Sequence, residues 1–371
     1  MNPRTLLLHA ALVVLAAVLF VVPAPAVGCA AAPPRNQSVE IASESAIIVW
    51  DEDAKTQHFI RRASFQTDAS DFGFLVPTPT QPTLAEADNE AFDTLAQITA
   101  PEVVKQPRPS SSGCDIGCAA PKGAAEPGAV ADKAEPVRVL DEQRVAGYDA
   151  AVLEADDANA LNSWLTEHGY EFPPALTQWA DHYIKAKWKI TAFKIAKRTK
   201  DEKAVGTSAV RMTFKTDHPF FPYREPQVQA ADKRYGRLLR VFFIGKGKMI
   251  GRLGDKAGAW PSSIAWADQL KAADREGLLK LLKLPDDTPP ASWYLTEFED
   301  HSSPRPGIAD VYFEPADDQT PVKRPPHIQY VFNGAANFAM YCALAAYVAV
   351  PRVLRGRWRR WTNAFRAKRK Q

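Results

Sequence analysis

Between residues 44 and 78 the chain sets short apolar runs against polar ones, the pattern of strands with a buried face. The runs "SAIIVWD" (45–51) and "QHFIRRASF" (57–65) flank the polar turn "DEDAK", which predicts a β-hairpin. "DFGFLVP" (71–77) predicts the next strand. Pro77 and Pro79 cannot donate to a β-ladder, so they end the pairing and force an extended exit. In "TLAEADNEAFDTLAQIT" (83–99), Phe92, Leu95 and Ile98 fall at helical spacing behind early acids, and Pro101 ends the run. The prolines therefore read as a strand-to-helix connector.

The second half resumes after residue 136. "VRVLDEQRVAGYDAAVLEA" (137–155) is strand-like, and in "DDANALNSWLTEHGY" (156–170) Asp156 or Asp157 can cap a helix. Leu161, Trp164, Leu165 and His168 share one face of that helix. "FPPALTQWADHYI" predicts a further short helix, and "KWKITAFKI" and "SAVRMTFKT" predict strands. "GRLLRVFFIGKGKMIGRL" (236–253) reads as a hairpin turning at Gly245-Lys246-Gly247. Short helices are expected near "SIAWADQL" and "EGLLKLLKL", before a last strand in "SWYLTEF". Strand pairs mixed with irregularly placed helices predict an α+β fold, a largely antiparallel sheet with short helices, plus one C-terminal transmembrane helix.

Composition fits an ordinary globular body of 371 residues, 46% hydrophobic and 24% charged, with 30 prolines that favour loops. The net charge of +3 hides an asymmetry: nine Lys and Arg and no acid lie between 351 and 371. A short basic tail on an acidic body points to a membrane surface rather than to nucleic acid.

Both ends are hydrophobic. "TLLLHAALVVLAAVLFVV" followed by Ala24-Pro25-Ala26 has the form of a signal peptide over residues 1–26. "AVGC" also resembles a lipobox with Cys29 as the lipidated residue, and an uncleaved anchor is the third reading. All three export the body. At the other end, residues 328–350 are long enough to span a bilayer at ~1.5 Å per residue. Only Lys323 and Arg324 lie just before that segment, so the positive-inside bias puts the C-terminus in the cytosol. Within it, Ala335, Ala339 and Ala343 form a small-residue stripe that allows a protein partner or self-association, with Asn333 and Asn337 on another face. In the tail (351–371), Leu354, Trp358, Trp361 and Phe365 fall on one helical face, the form of a basic amphipathic helix at the membrane interface that contacts lipids.

The exported body divides into a β-rich part (29–105), a Pro/Gly/Ala-rich linker (106–136) and an α+β part (137–325). Three stretches, "DFGFLVPTPTQPTLAEAD" (71–88), "YDAAVLEADDANALNSWLTEHGYEFP" (148–173) and "MTFKTDHPFFPYREP" (212–226), resemble the bacterial family known as domain of unknown function 2330. The resemblance runs in the same order from about residue 29 to 299, and the middle stretch is its most specific part. It implies an envelope-exported domain of unassigned activity. Because that family has no established catalytic residues, it assigns none here. The few cysteines near the mature start leave any family disulfide pattern unsupported.

The residues themselves offer little chemistry. G-x-S-x-G, H-E-x-x-H and a Walker loop are missing, the histidines lack metal-ligand spacing, and no cofactor is implied. Asp-Phe-Gly at 71–73 lacks the Gly-rich loop, strand lysine and His-Arg-Asp loop that a kinase carries before it. Asp217 beside His218 is a candidate catalytic pair, against the plainer reading of a strand end whose Phe220, Phe221 and Tyr223 pack on the sheet. Cys114 and Cys118 are spaced for a small-loop disulfide in an oxidising compartment. Pairing them would leave Cys29 as the odd thiol outside the membrane. The sequence reads as a single-pass envelope membrane protein whose exported domain binds a partner or scaffolds an assembly. The alternative is an exported hydrolase with a site near Asp217 and His218. Protease added to intact spheroplasts is expected to digest the body and spare an epitope placed after Gln371. Loss of that epitope would reverse the topology.

Overall fold

The computed structural model describes residues 30–32, 34, 39–67, 69–107, 137–170, 174–196, 204–226, 238–254, 258–285, 293–302 and 305–331. The chain separates into two compact units, the larger holding residues up to Ala100 and from Lys122 to Arg324.

The first third carries β1 (Ala30–Ala32), β2 (Val39–Asp51), β3 (Thr56–Thr67), β4 (Asp71–Thr78), β5 (Thr83–Glu86), α1 (Glu90–Ile98) and β6 (Val103–Pro107). Next come β7 (Val137–Val145), β8 (Tyr148–Ala155), α2 (Ala158–Glu167), α3 (Pro174–Lys185), β9 (Lys189–Ala196), β10 (Ala204–Gly206), β11 (Val210–Lys215) and β12 (Phe220–Phe221). The last third adds β13 (Leu239–Gly245), β14 (Met249–Leu253), β15 (Gly258–Ala259), β16 (Ser263–Gln269), α4 (Ala272–Leu282), β17 (Tyr294–Asp300), β18 (Val311–Pro315) and β19 (His327–Val331). The fold is α+β with mostly antiparallel sheets and four short helices among the described residues.

The larger unit stacks four layers. A five-stranded sheet, ordered β1-β4-β9-β8-β7, faces an eight-stranded sheet ordered β16-β17-β13-β2-β3-β11-β5, with β10 also on β3. Alternation decides which side chain enters which layer. On β9, Phe193 and Ile195 join the core between the sheets, while Ile190 and Ala192 pack under α2 and α3. On β2 and β13, Ile48, Val241 and Phe243 enter the same central core. Their neighbours Ile47, Val49, Phe242 and Ile244 pack against α1 and α4. Strands covered on both faces lose their polar positions, which is why β13 is a nearly continuous apolar run. A third sheet, β12-β18-β14-β15, adds Phe221, Val311 and Phe313 to the central core.

The hairpin predicted before residue 66 forms as β2 and β3, and the run from 137 forms the hairpin of β7 and β8. Ala146 and Gly147 turn that second hairpin with φ of 52° and 84°, the geometry of a two-residue primed turn. Asp157 caps α2, its Oδ1 accepting from the amides of Asn159 and Ala160 at 2.8 Å each.

Four expectations need correction. Residues 83–86, read as the start of a helix, pair with β11 as β5; the helix begins only at Glu90, whose amide donates to Asp88 Oδ1 at 2.9 Å. "SIAWADQL" is not helical but forms β16; a register shift between Ile264 and Trp266 breaks the period-two signal that marks a strand. The Gly245-Lys246-Gly247 turn does not join paired strands. β13 pairs with β17 and, in parallel, with β2, while β14 pairs with β15 and β18, so the turn passes the chain from one sheet to another.

The fourth concerns the C-terminal segment. Residues 328–331, the start of the expected span, lie instead in β19, which pairs in parallel with β6 as a two-stranded sheet in the smaller unit. Residues 106 and 107 of the expected linker belong to that pair as well. The rest of the linker, the remainder of the span from 332, the tail and the signal segment lie outside the described residues. No described helix is long and apolar enough to cross a membrane.

Gly251, on β14, faces the indole of Trp260. A Cβ there would overlap Trp260 Cε3 and sit 3.0 Å from Val311 Cγ1. Trp260 cannot swing away freely, because it is buried and its Nε1 donates to Asp300 Oδ2 at 3.2 Å. Gly251→Ala is expected to destabilise the protein by about 1–3 kcal/mol, as overpacking of a filled core does. Chemical denaturation of the variant checks it; an unchanged midpoint would mean the indole is not held in place.

Candidate functional site

The C-terminus of α2 builds one wall of a cleft. Gly169, at φ +87°, follows the cap residue His168 in the left-handed region that glycine favours. Its amide donates to Thr166 O at 3.1 Å, and the amide of Tyr170 reaches back to Leu165 O at 2.9 Å. These two bonds make the Schellman ending of a helix, which folds the next residue back against the last turn. The sequence "TEHGY" thus places His168 and Tyr170 beside Trp164. The His168 ring stacks on Trp164 with centroids 3.9 Å apart and planes 24° apart. Its Nδ1 lies 2.6 Å from Trp164 O, so Nδ1 carries the proton and donates.

The floor comes from the five-stranded sheet, on the face that α2 and α3 also cover. Gly73, Lys194 and Asp149 lie on one rung of β4, β9 and β8, and Ala192, Ala151 and Glu142 align on another rung through β9, β8 and β7. With glycine and alanine where a core would carry leucine, a cleft of about 400 Å³ stays open between sheet and helix end. That lies within the ~300–1,000 Å³ of small-molecule sites.

The charges around it do not balance. Lys194 Nζ pairs with Asp71 at 3.5 Å. Asp149 and Glu142, both exposed, make no hydrogen bond or ion pair among the described residues, although Arg144 stands opposite Asp149 in the β7–β8 register. Tyr170 is 7% exposed, yet its hydroxyl has no hydrogen-bond partner among the described residues. Burial, and then the Asp71 and Asp149 carboxylates, push that hydroxyl well above the usual tyrosine range. A buried hydroxyl that neither donates nor accepts a hydrogen bond is costly, and a ligand is one way to give it a partner.

Asp217 and His218 sit on the exposed turn between β11 and β12, and no hydrogen bond or ion pair joins them among the described residues. His218 contributes its backbone oxygen, which accepts from Thr216 Oγ1 at 2.9 Å. Phe220, Phe221 and Tyr223 are buried in the core. Cys29, Cys114, Cys118, Leu354, Trp358, Trp361, Phe365 and the Ala335/Ala339/Ala343 stripe lie outside the described residues. No group of three His, Cys, Asp or Glu side chains that could hold a metal occurs among the described residues. Of the cleft, sequence reasoning reached the helix face with Trp164 and His168. It passed over Tyr170, Asp149, Glu142 and Lys194, for which the Gly169 stop signal was the available clue.

A family model described as an uncharacterized protein conserved in bacteria (DUF2330) matches residues 23–312. No curated protein matches the chain. Among solved structures, the crystal structure of baculovirus P35 is similar at 5% identity and a TM-score of 0.31, covering 77% of this chain and 97% of that one. So loose a likeness carries no functional argument.

A second polar cluster, across the β13–β17 pair, is structural in form. Arg324 reaches Glu297 at 2.9 Å and Glu299 at 2.7 Å, and Arg240 reaches the same two carboxylates at 3.0 Å. Burial raises the pKa of Glu297 against the pull of Thr99 and the two arginines. Burial also opposes ionisation of Glu299, but Arg324, His301 and Arg240 outweigh it and bring that carboxyl down to about 2. A depressed carboxyl favours folding above its unfolded pKa, near 4.5, and that contribution disappears as pH falls toward about 2. Glu299→Gln is therefore expected to flatten the loss of urea stability between about pH 5 and pH 2.5, relative to the unsubstituted protein. Parallel pH profiles would show that the pairing does not favour the folded state.

Proposed function

The chain belongs to the DUF2330 family of uncharacterized bacterial proteins, and we propose that it is a single-pass envelope protein whose exported domain holds a small ligand in the cleft beside α2. The observation that carries this reading is the unpartnered Tyr170 hydroxyl beside an open, small-residue floor. Enclosed polar groups placed beside a concave, partly apolar surface are what orient a bound molecule. Binding is favoured over hydrolysis, since Asp217 and His218 sit on an exposed turn and, among the described residues, His218 has no side-chain base or nucleophile joined to it.

Export and anchoring rest on the sequence. The hydrophobic N-terminal segment ends in a small-x-small site. With residues 328–331 taken by β19, the apolar stretch from 332 to 350 would still rise about 28 Å as a helix, close to the ~30 Å bilayer core. The basic tail beyond it favours the cytosolic side.

Thermal unfolding of the full chain in mild detergent, against a panel of amines, sugars, amino acids and phosphates, tests the binding reading. At least one class is expected to raise Tm. Saturation at 100 times Kd contributes about 2.7 kcal/mol to folding stability. Ala151→Phe, which fills the floor, is expected to abolish the shift, and Glu142→Trp, at an exposed position on the same cleft, is expected to abolish it in a protein that keeps its unliganded Tm. A panel without any shift, or a shift that survives the filled cleft, would end this reading.

A further inference from the structure

We infer that the cleft selects a primary amine carried on a compact organic body, with Asp149, Glu142 and Tyr170 as the selecting groups. This rests on the cleft being a binding site, as proposed above. Three features point the same way. Asp149 and Glu142 project onto the cleft without a cationic partner among the described residues, whereas the cation of the floor, Lys194, is already paired with Asp71. An ammonium group supplies the missing charge and three N–H donors. Tyr170 then matters because its oxygen can accept one of those N–H bonds, which gives the hydroxyl a partner at its lone pair. An anionic ligand would meet Asp149 and Glu142 with like charge and would gain little from the paired Lys194.

The body of the ligand is set by the remaining surface. Gly73, Ala151 and Ala192 leave a flat, shallow floor, and the stacked Trp164–His168 pair closes one side with aromatic surface. That surface suits a sugar ring or an aliphatic chain bearing the amine, and an ammonium near it gains a further attraction from the ring faces. Arg144, opposite Asp149 in register, limits the cationic charge the cleft can take to a single group.

Calorimetric titration of the full chain in detergent with glucosamine and with n-pentylamine, each beside its N-acetylated form, tests the amine. The amine is expected to bind at least about tenfold more tightly than the acetylated partner. Asp149→Asn is expected to remove that preference. Tyr170→Phe is expected to weaken binding severalfold without lowering Tm, since it deletes only a hydroxyl that has no partner in the free protein. Tyr170→Phe with unchanged affinity would assign the hydroxyl no part in binding and overturn its role here. Equal binding of amine and acetylated forms, or no amine binding up to about 10 mM, would overturn the inference. A neutral or anionic member of the wider panel that still shifts Tm would leave the cleft a binding site and refute only its amine selectivity. A panel with no shift at all would remove both.

Discussion

Glu44 is a carboxylate with no solvent contact, and the packing of the two large sheets is arranged around it. Arg61 of β3 reaches its Oε1 with Nε at 2.9 Å and Nη2 at 2.7 Å, and Arg305 reaches Oε2 at 3.2 Å. Arg305 also lies 3.9 Å from Glu225, whose amide is bound to Gly307 O. Two carboxylates and two guanidinium groups thus share one dry compartment. Stripping a charge of water costs several kcal/mol, so such a group persists only where its counter-ions are held in place. The Arg61 guanidinium also lies 4.0 Å from the centre of the Phe74 ring on β4, in the facing sheet. The ionic compartment therefore fixes the register between layers, a job that interchangeable apolar contacts do poorly.

Around that compartment the interior is aromatic, and its polar tips are accounted for. Tyr223 donates to Asp300 Oδ2 at 2.7 Å, Trp260 donates to the same oxygen, and Ser302 closes on Oδ1. Tyr183 of α3 donates to Asp310 Oδ1 at 2.8 Å, an oxygen that also accepts from the Arg224 amide. Trp179 of the same helix donates to Arg224 O. These bonds attach the outer helix layer to the loops of the third sheet, so α3 is held by direction as well as by burial. The hydroxyl of Tyr170, like those of Tyr294, Thr78 and Thr191, is buried without a hydrogen-bond partner among the described residues, and of these four only Tyr170 lines the cleft.

How much of this was legible follows from the range of each signal. The β2–β3 hairpin was readable because turn and strands are contiguous, whereas 137–155 read only as strand without its turn, and the α2 cap was readable to Asp156 or Asp157 because a cap acts within three residues. The partners of β13 were not readable. β2 lies almost two hundred residues earlier in the chain, and an apolar run says that a strand is covered on both faces without saying by what. β16 was misread because its bulge erased the alternation. The cleft was invisible for a different reason. Gly73, Ala151 and Ala192 come from three strands, and each is an unremarkable small residue until the sheet aligns them.

The position of the cleft has a consequence for how binding and folding can coexist. Its floor is the outward face of the five-stranded sheet, while the opposite face of the same strands, through Phe193, Val152 and Phe74, belongs to the central core. Side chains on the two faces of a strand are independent to a first approximation, so the floor can be kept small without opening a cavity in the core. The walls come from the Schellman ending of α2, a local motif whose geometry is fixed by backbone hydrogen bonds and one glycine. A site assembled this way costs the fold little beyond the unpaired carboxylates and one unsatisfied hydroxyl. Those same groups give the cleft its negative character, so the local cost and the proposed selectivity arise from one arrangement of residues.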